Sequence, residues 1–275
     1  MINPIDPESL RRQIRSAAPF PHCLIDNFLT AEFAERVHGA FPSFEEAQQM
    51  GWAFRTVNER NKVQIADVAM FQRPLVELNN LLTSPELLKV LSYAFELPDL
   101  LADEQLTGGG VHQTGPRGRL DVHVDFNYLA DRKLFRRLNI LLYFNQGWLS
   151  GWGGNLELWD KDVKICHHSF APLFNRCIII ETSEISFHGV SAVTCPPGHA
   201  RRSFAAYYYT RESPSGWDGQ IHSTLFRSRP NEKIKGTVLM PLEQAGRQMQ
   251  QAVWKVKRTI KKATRGQSAG PGGKQ

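Results

Sequence analysis

Leu120-Asp121-Val122-His123-Val124-Asp125-Phe126-Asn127 is the stretch from which the rest of the chain can be read. Apolar and polar side chains alternate along it. In a strand, residues two apart share a face, so His123 and Asp125 project together while Val122 and Val124 pack on the other side. An imidazole and a carboxylate on one face make two thirds of a facial metal site. The third ligand has to come from elsewhere. His188, in Ser186-Phe187-His188-Gly189-Val190, is the natural candidate, because it comes after the apolar strand Cys177 to Glu181 in a part of the chain able to fold back beside the first pair.

Working outward, the text from about Leu106 onward reads as strands separated by glycine, proline and asparagine: Leu138 to Phe144, Asn155 to Trp159, Cys177 to Glu181 and Arg201 to Thr210. Short strands with turn signals between them predict an antiparallel sandwich or barrel. The first hundred residues instead alternate amphipathic helices with connectors, over Pro7 to Ala17, Thr30 to Phe41, Pro74 to Leu82 and Pro85 to Phe95, with one strand at His22 to Asp26. Ser84 before Pro85 is a helix start, since serine caps free N–H groups and proline at the first helical position loses nothing. From Pro241 to about Ala263 the three- and four-residue spacing of Leu242, Ala245, Met249, Val253, Val256 and Ile260 predicts a further helix, with a glycine-rich tail after it. The expected organisation is therefore supporting helices and an opening strand over 1–100, a β barrel over 101–240, and a basic helix with a disordered tail over 241–275.

Of the 33 Lys plus Arg in 275 residues, eight lie beyond Glu243, where there is no acidic residue; the remaining 25 face 27 Asp plus Glu. The net charge of +6 thus belongs to the tail. A nucleic-acid reading of the body is not supported, and the basic helix is either a solvated face or a contact for an acidic surface. Four cysteines without paired spacing read as reduced thiols of a cytoplasmic protein. The N-terminus lacks the pattern of a signal peptide, and no apolar run approaches the roughly 18 residues of a membrane span.

A His-x-Asp pair occurs by chance in many chains; the strand at Arg201 to Thr210 is more specific. On one of its faces lie Arg201, Ser203, Ala205 and Tyr207. A fork-shaped cation beside a hydroxyl suits a bidentate grip on a carboxylate, and Tyr143 adds a phenol able to donate to the same group. Two histidines and one carboxylate with open positions, in turn, are the arrangement of non-haem Fe(II) oxygenases.

Over Phe20 to Thr210 the chain resembles the Fe(II)- and 2-oxoglutarate-dependent oxygenases with a prolyl 4-hydroxylase alpha-subunit type catalytic domain, and looks closest to their single-domain bacterial members. The resemblance rests on Phe20-Pro21-His22 to Leu29, His123-x-Asp125, Leu141-Leu142-Tyr143-Phe144-Asn145 with Trp148, Gly153-Gly154-Asn155-Leu156-Glu157, His188 and the Arg-x-Ser strand. It implies a double-stranded β-helix, a jelly roll with helices outside. It implies Fe(II) held by His123, Asp125 and His188, and 2-oxoglutarate held by Arg201 with Ser203 and Tyr143. With O2 as the further reactant, an unactivated C–H bond, that of a prolyl residue at the family level, becomes an alcohol while succinate and CO2 leave; whether ascorbate is needed to rescue oxidised iron is left open. Asp125 argues against related halogenases, which lack that carboxylate. The turn Cys195-Pro196-Pro197-Gly198-His199 is longer than in compact members, which leaves Arg201 and Arg202 as alternatives. Arg201 is favoured because its face continues with small residues.

Other readings stand beside this one. The substrate is a peptide or a small molecule such as an amino acid or sugar. In a second class of reading, the jelly roll binds a metal or ligand without turnover. His22, His38 and His222 read as surface or satisfied core residues, the adjacent His167 and His168 face opposite ways and cannot both serve one metal, His199 sits in a turn, and His112 either lines the pocket or packs. Trp148, Trp152 and Trp159 read as packing, and Gly151 to Gly154 as a turn. The segments Phe54 to Gln72 and Thr210 to Pro230, outside regular strand text, are the loops expected to select the substrate.

Overall fold

The structure is a computed structural model that describes residues 1–232 and 235–240. The helix expected over 241–263, its tail and any acidic surface they meet fall outside the described residues. Among those residues thirteen strands form one antiparallel sheet: β1 (His22–Ile25), β2 (Trp52–Arg55), β3 (Glu59–Ile65), β4 (Leu101–Ala102), β5 (Gly110–Val124), β6 (Tyr128–Leu129), β7 (Leu134–Tyr143), β8 (Leu156–Trp159), β9 (Cys166–Phe170), β10 (Cys177–Glu181), β11 (His188–Val190), β12 (Arg201–Thr210) and β13 (Leu225–Arg227). The main path runs β1-β10-β7-β12-β5-β11-β8-β9, with β3 and β13 also pairing with β5. This curled sheet is the jelly-roll core, and the helices lie outside it.

Alternation along two strands explains why both faces are apolar. Leu138, Ile140 and Leu142 of β7, with Phe204, Ala206 and Tyr208 of β12, turn outward into the core shared with α1 (Pro7–Ser16), α2 (Ala31–Gly39), α4 (Arg73–Leu82) and α5 (Pro85–Phe95). Tyr208 even donates its hydroxyl to the carbonyl of Leu82 at the end of α4. Leu141, Tyr143, Ala205, Tyr207 and Tyr209 turn inward to a second apolar cluster. A strand buried on both faces reads as a continuous apolar run, as Cys177 to Glu181 does. Ser84 caps α5 by accepting from Leu87 N, with Pro85 in the first turn.

Two elements differ from expectation. The short helix α3 (Phe44–Met50) has too few turns to show periodicity, but Ser43 and Glu46 form a complete capping box at its start. The stretch expected as a substrate loop from Phe54 is largely the hairpin β2–β3, whose second strand pairs with β5 from Glu59↔Leu120 to Ile65↔Val111. Its polar residues hide the strand because Lys62 and Gln64 face a cavity rather than a core. The first hundred residues therefore contribute β1, β2 and β3 to the sheet, where the sequence pattern predicts a single strand.

Candidate metal centre and cofactor pocket

β11 runs antiparallel to β5 with His188 directly opposite His123. The two rings lie 4.3 Å apart, and Asp125, just past the end of β5, reaches back between them. Its Oδ1 is 3.5 Å from His123 Nε2 and its Oδ2 is 3.6 Å from His188 Nε2. All three side chains offer a ligand atom within 4.8 Å of the others.

Each ring is oriented by its own strand. His123 Nδ1 donates to the carbonyl of Asp121 at 2.8 Å, and His188 Nδ1 to that of Ser186 at 2.9 Å. A carbonyl only accepts, so each proton sits on Nδ1 and each Nε2 presents its lone pair to the shared space, the arrangement a metal-binding histidine needs. Burial, helped by the neighbouring His123, pushes His188 down to about 4, so the ring is neutral at pH 7. Burial acts to raise the Asp125 carboxyl, but Arg136 and the two histidines outweigh it and hold the group well below the usual carboxylate range. Two imidazoles and one ionised carboxylate are a donor set that fits a divalent cation of the Fe(II) type.

Arg136 is a participant the sequence concealed. Its Nη2 lies 3.0 Å from Asp125 Oδ2, its side chain is almost wholly buried, and its guanidinium stacks 3.6 Å from the centre of the Tyr207 ring. Strict alternation from Asn139 and Leu141 would turn Arg137 inward. The ladder between β7 and β12 slips between Tyr208↔Leu138 and Tyr209↔Arg136, and that bulge puts Arg136 on the inner face instead. Arg137 pairs with Glu181.

The cavity in front of the triad is about 560 Å³. Arg201 and Ser203 line it; Arg202 does not, and its backbone N–H donates to Asn145 Oδ1 at 2.6 Å. Arg201 is buried among neutral acceptors: Nε donates to the carbonyl of Gly154 at 2.7 Å, Nη2 to the Tyr143 hydroxyl at 3.1 Å and Nη1 to Ser203 Oγ at 3.4 Å. Among the described residues no carboxylate pairs with it, so the pocket holds a cation without its counter-charge. Tyr143 is fully buried and supports the guanidinium. Gly153-Gly154, read as a plain turn, serves the same group. Gly154 has φ +69°, and a Cβ there would stand 3.1 Å from Arg201 Cδ.

His112 lines the cavity opposite Ser203 and donates from Nε2 to the carbonyl of Gly108 at 3.0 Å. Burial first, then Lys62, holds its ring well below the ordinary value, so it too is neutral. Both segments expected to choose the substrate contribute to the cavity: Phe54, Glu59 and Lys62 from the first, Ser223, Leu225 and Phe226 from the second. His22, His38 and His222 each bond a carbonyl, and His222 also meets Glu184.

Residues 109–209 match the 2OG-Fe(II) oxygenase superfamily. A mouse protein, prolyl 3-hydroxylase OGFOD1, is 23% identical over 207 residues, covering 70% of this chain and 33% of the relative. The chain thus spans about a third of the length of that curated relative. Among solved structures, a Pseudomonas putida prolyl-4-hydroxylase superposes with TM-score 0.54 at 13% identity, covering 76% of this chain and all of that one. A Trichoplax adhaerens prolyl hydroxylase, solved with a hypoxia inducible factor peptide fragment, gives 0.52 at 17% identity, covering 74% of this chain and 88% of that one. These likenesses show the fold. The family match takes in all of β5 and all but the last residue of β12, so residues 109–209, which carry His123, Asp125, His188 and Arg201, are similar to a 2OG-Fe(II) oxygenase superfamily domain.

Proposed function

We propose that the chain is an Fe(II)- and 2-oxoglutarate-dependent dioxygenase that hydroxylates an aliphatic C–H bond, with a prolyl residue of a peptide as substrate. One observation carries this: the His123, Asp125, His188 cluster and the uncompensated cation Arg201 share the wall of one cavity. Iron, when bound, supplies oxygen activation coupled to decarboxylation of 2-oxoglutarate to succinate and CO2. Nε2 of His123 and His188 and one Asp125 oxygen hold the metal. Arg136 holds the other oxygen of Asp125, so the carboxylate stays ionised in a buried site. Arg201 receives the distal carboxylate of 2-oxoglutarate through its guanidinium, with Ser203 beside it and the Tyr143 proton turned to the same group. Phe126, Leu225 and Phe226 keep the reacting space apolar.

The prolyl assignment draws support from the mouse relative, whose name is that of a prolyl hydroxylase. An amino acid or sugar as substrate, or a barrel that binds without turnover, are the competing readings. Ascorbate as the reductant of oxidised iron and a cytoplasmic setting belong to the same proposal; the latter is supported by the free thiols Cys23, Cys166, Cys177 and Cys195.

The test is an anaerobic titration of apoprotein with Fe(II) and then 2-oxoglutarate, monitoring the visible charge-transfer band, with Asp125→Ala as control. A band in the wild type alone, then succinate release on proline-containing peptides, is the expected result. Metal binding with neither band nor succinate would leave a non-catalytic binding protein.

A further inference from the structure

The strands that carry the two histidines are joined by a broken ladder. β5 and β11 are in register at His188↔His123 and Val190↔Leu120, and the register shifts between them. Arg229, from the chain after β13, fills that irregularity. Its Nη2 donates to the carbonyl of Val190 at 3.2 Å and to that of Leu120 at 3.4 Å, one on each strand. The rest of the guanidinium is held from below: Nε donates to Glu157 Oε2 at 2.8 Å, and Nη1 lies 3.5 Å from Asp121 Oδ1.

Each contact bears on a ligand. Asp121 is the residue whose carbonyl accepts the Nδ1 proton of His123, and its carboxylate is completely buried. Glu157 stands opposite Gly189, the neighbour of His188. A Cβ at Gly189 would meet Val122 Cα at 3.1 Å and Arg229 Nη2 at 3.2 Å, so the absence of a side chain there leaves room for the guanidinium. The same segment pairs as β13 with Val122 to Val124, lines the cavity through Ser223 to Phe226, and is tied down again by Glu232 on Arg119 at 2.8 Å.

We propose that Arg229 is a positioning residue for both metal histidines, and that docking of the 223–232 segment and metal binding are one coupled equilibrium. Resting on the metal-site reading above, this means that a segment outside the family-matched 109–209 region stiffens the ligand strands, and that metal in turn stabilises one wall of the substrate cavity. Linkage makes the effect reciprocal: whatever the docked segment adds to metal affinity, metal adds to docking.

Two measurements test it. The first is Mn(II) affinity of purified apoprotein for wild type, Arg229→Met, Arg229→Lys and Arg137→Met. The last breaks the half-buried Arg137–Glu181 pair away from the ligands and controls for lost stability. Partners of metal ligands typically contribute ten- to a hundredfold in affinity. Arg229→Met should therefore weaken Mn(II) binding by about tenfold or more, Arg229→Lys by less, and Arg137→Met not at all. The second needs no variant: hydrogen exchange of the amides of Leu225 to Glu232 in wild type, which should slow when Mn(II) is added. Wild-type Mn(II) affinity in a folded Arg229→Met protein, or exchange at 225–232 indifferent to metal that binds, would overturn the coupling. Failure of wild type to bind Mn(II) would instead strike the metal-site reading itself.

Discussion

Replacing Arg201 with methionine separates binding from stability. In most folds, deleting a buried arginine leaves a buried anion behind and costs several kcal/mol. Here every hydrogen-bond partner of the guanidinium is neutral, the Gly154 carbonyl, Tyr143 and Ser203, so no charge is orphaned. Burial lowers the affinity of Arg201 for its own proton, the mark of a cation held at a desolvation cost. Loss of three hydrogen bonds and relief of that cost oppose each other, and the apoprotein should change stability by about 1 kcal/mol or less. Binding of 2-oxoglutarate should change far more. Two charge-assisted bonds to its carboxylate at ~1.5–3 kcal/mol each amount to a loss of roughly 10² to 10⁴ in affinity. The assay is thermal unfolding of the Mn(II) protein with added 2-oxoglutarate. At a hundredfold excess over its dissociation constant the ligand stabilises wild type by about 2.7 kcal/mol, a rise in Tm of roughly 5–10 °C for a chain of this size. At the same concentration Arg201→Met should rise by about 1 °C or less, and Arg202→Met should behave as wild type. An Arg201→Met protein with the full shift, or an Arg202→Met protein without it, would refute the assignment.

The geometry sets four further outcomes. His123→Ala, Asp125→Ala and His188→Ala should each lose metal and succinate release together; full activity in His188→Ala would exclude it as a ligand. Arg136→Met removes the cation from a buried carboxylate and should destabilise the apoprotein by about 3 kcal/mol in urea unfolding, with Asp125→Asn in the same chain recovering much of that, whereas a loss near zero would show that Arg136 only packs. Gly154→Ala should shift Arg201 and weaken 2-oxoglutarate binding while leaving Mn(II) affinity intact, which the two titrations read separately. His188 is held down to about 4 in the folded chain, against an ordinary value of about 6.5. Between those values the unfolded chain binds a proton that the folded chain refuses, so apoprotein stability should fall as pH drops through that window. His188→Gln should show a shallower dependence, and an identical slope would contradict the burial of a neutral ring.

Much of the site is legible in the order of residues. Period-two alternation puts His123 with Asp125, and Arg201 with Ser203, on common faces whatever surrounds them, because side-chain direction in a strand is a local property of the backbone. The start of α5 is readable at Ser84-Pro85 for a similar reason: a cap is made within one turn. Other features depend on neighbours far along the chain. Arg136 rather than Arg137 faces Asp125 because of a bulge, and a slip of one residue reverses every face beyond it without leaving a trace in composition. The hairpin β2–β3 looks like loop because its polar side chains answer to a cavity wall. Arg229 sits 72 residues from Glu157 and 39 from Val190, and nothing near Ser228 or Pro230 announces that its side chain bridges the strands carrying His123 and His188. Local backbone geometry and periodicity thus determined which chemical groups stand together on each strand, while tertiary folding alone decided which strands meet, where the ladders slip, and which distant cations serve the buried carboxylates, because those depend on packing between segments that the order of residues does not bring together.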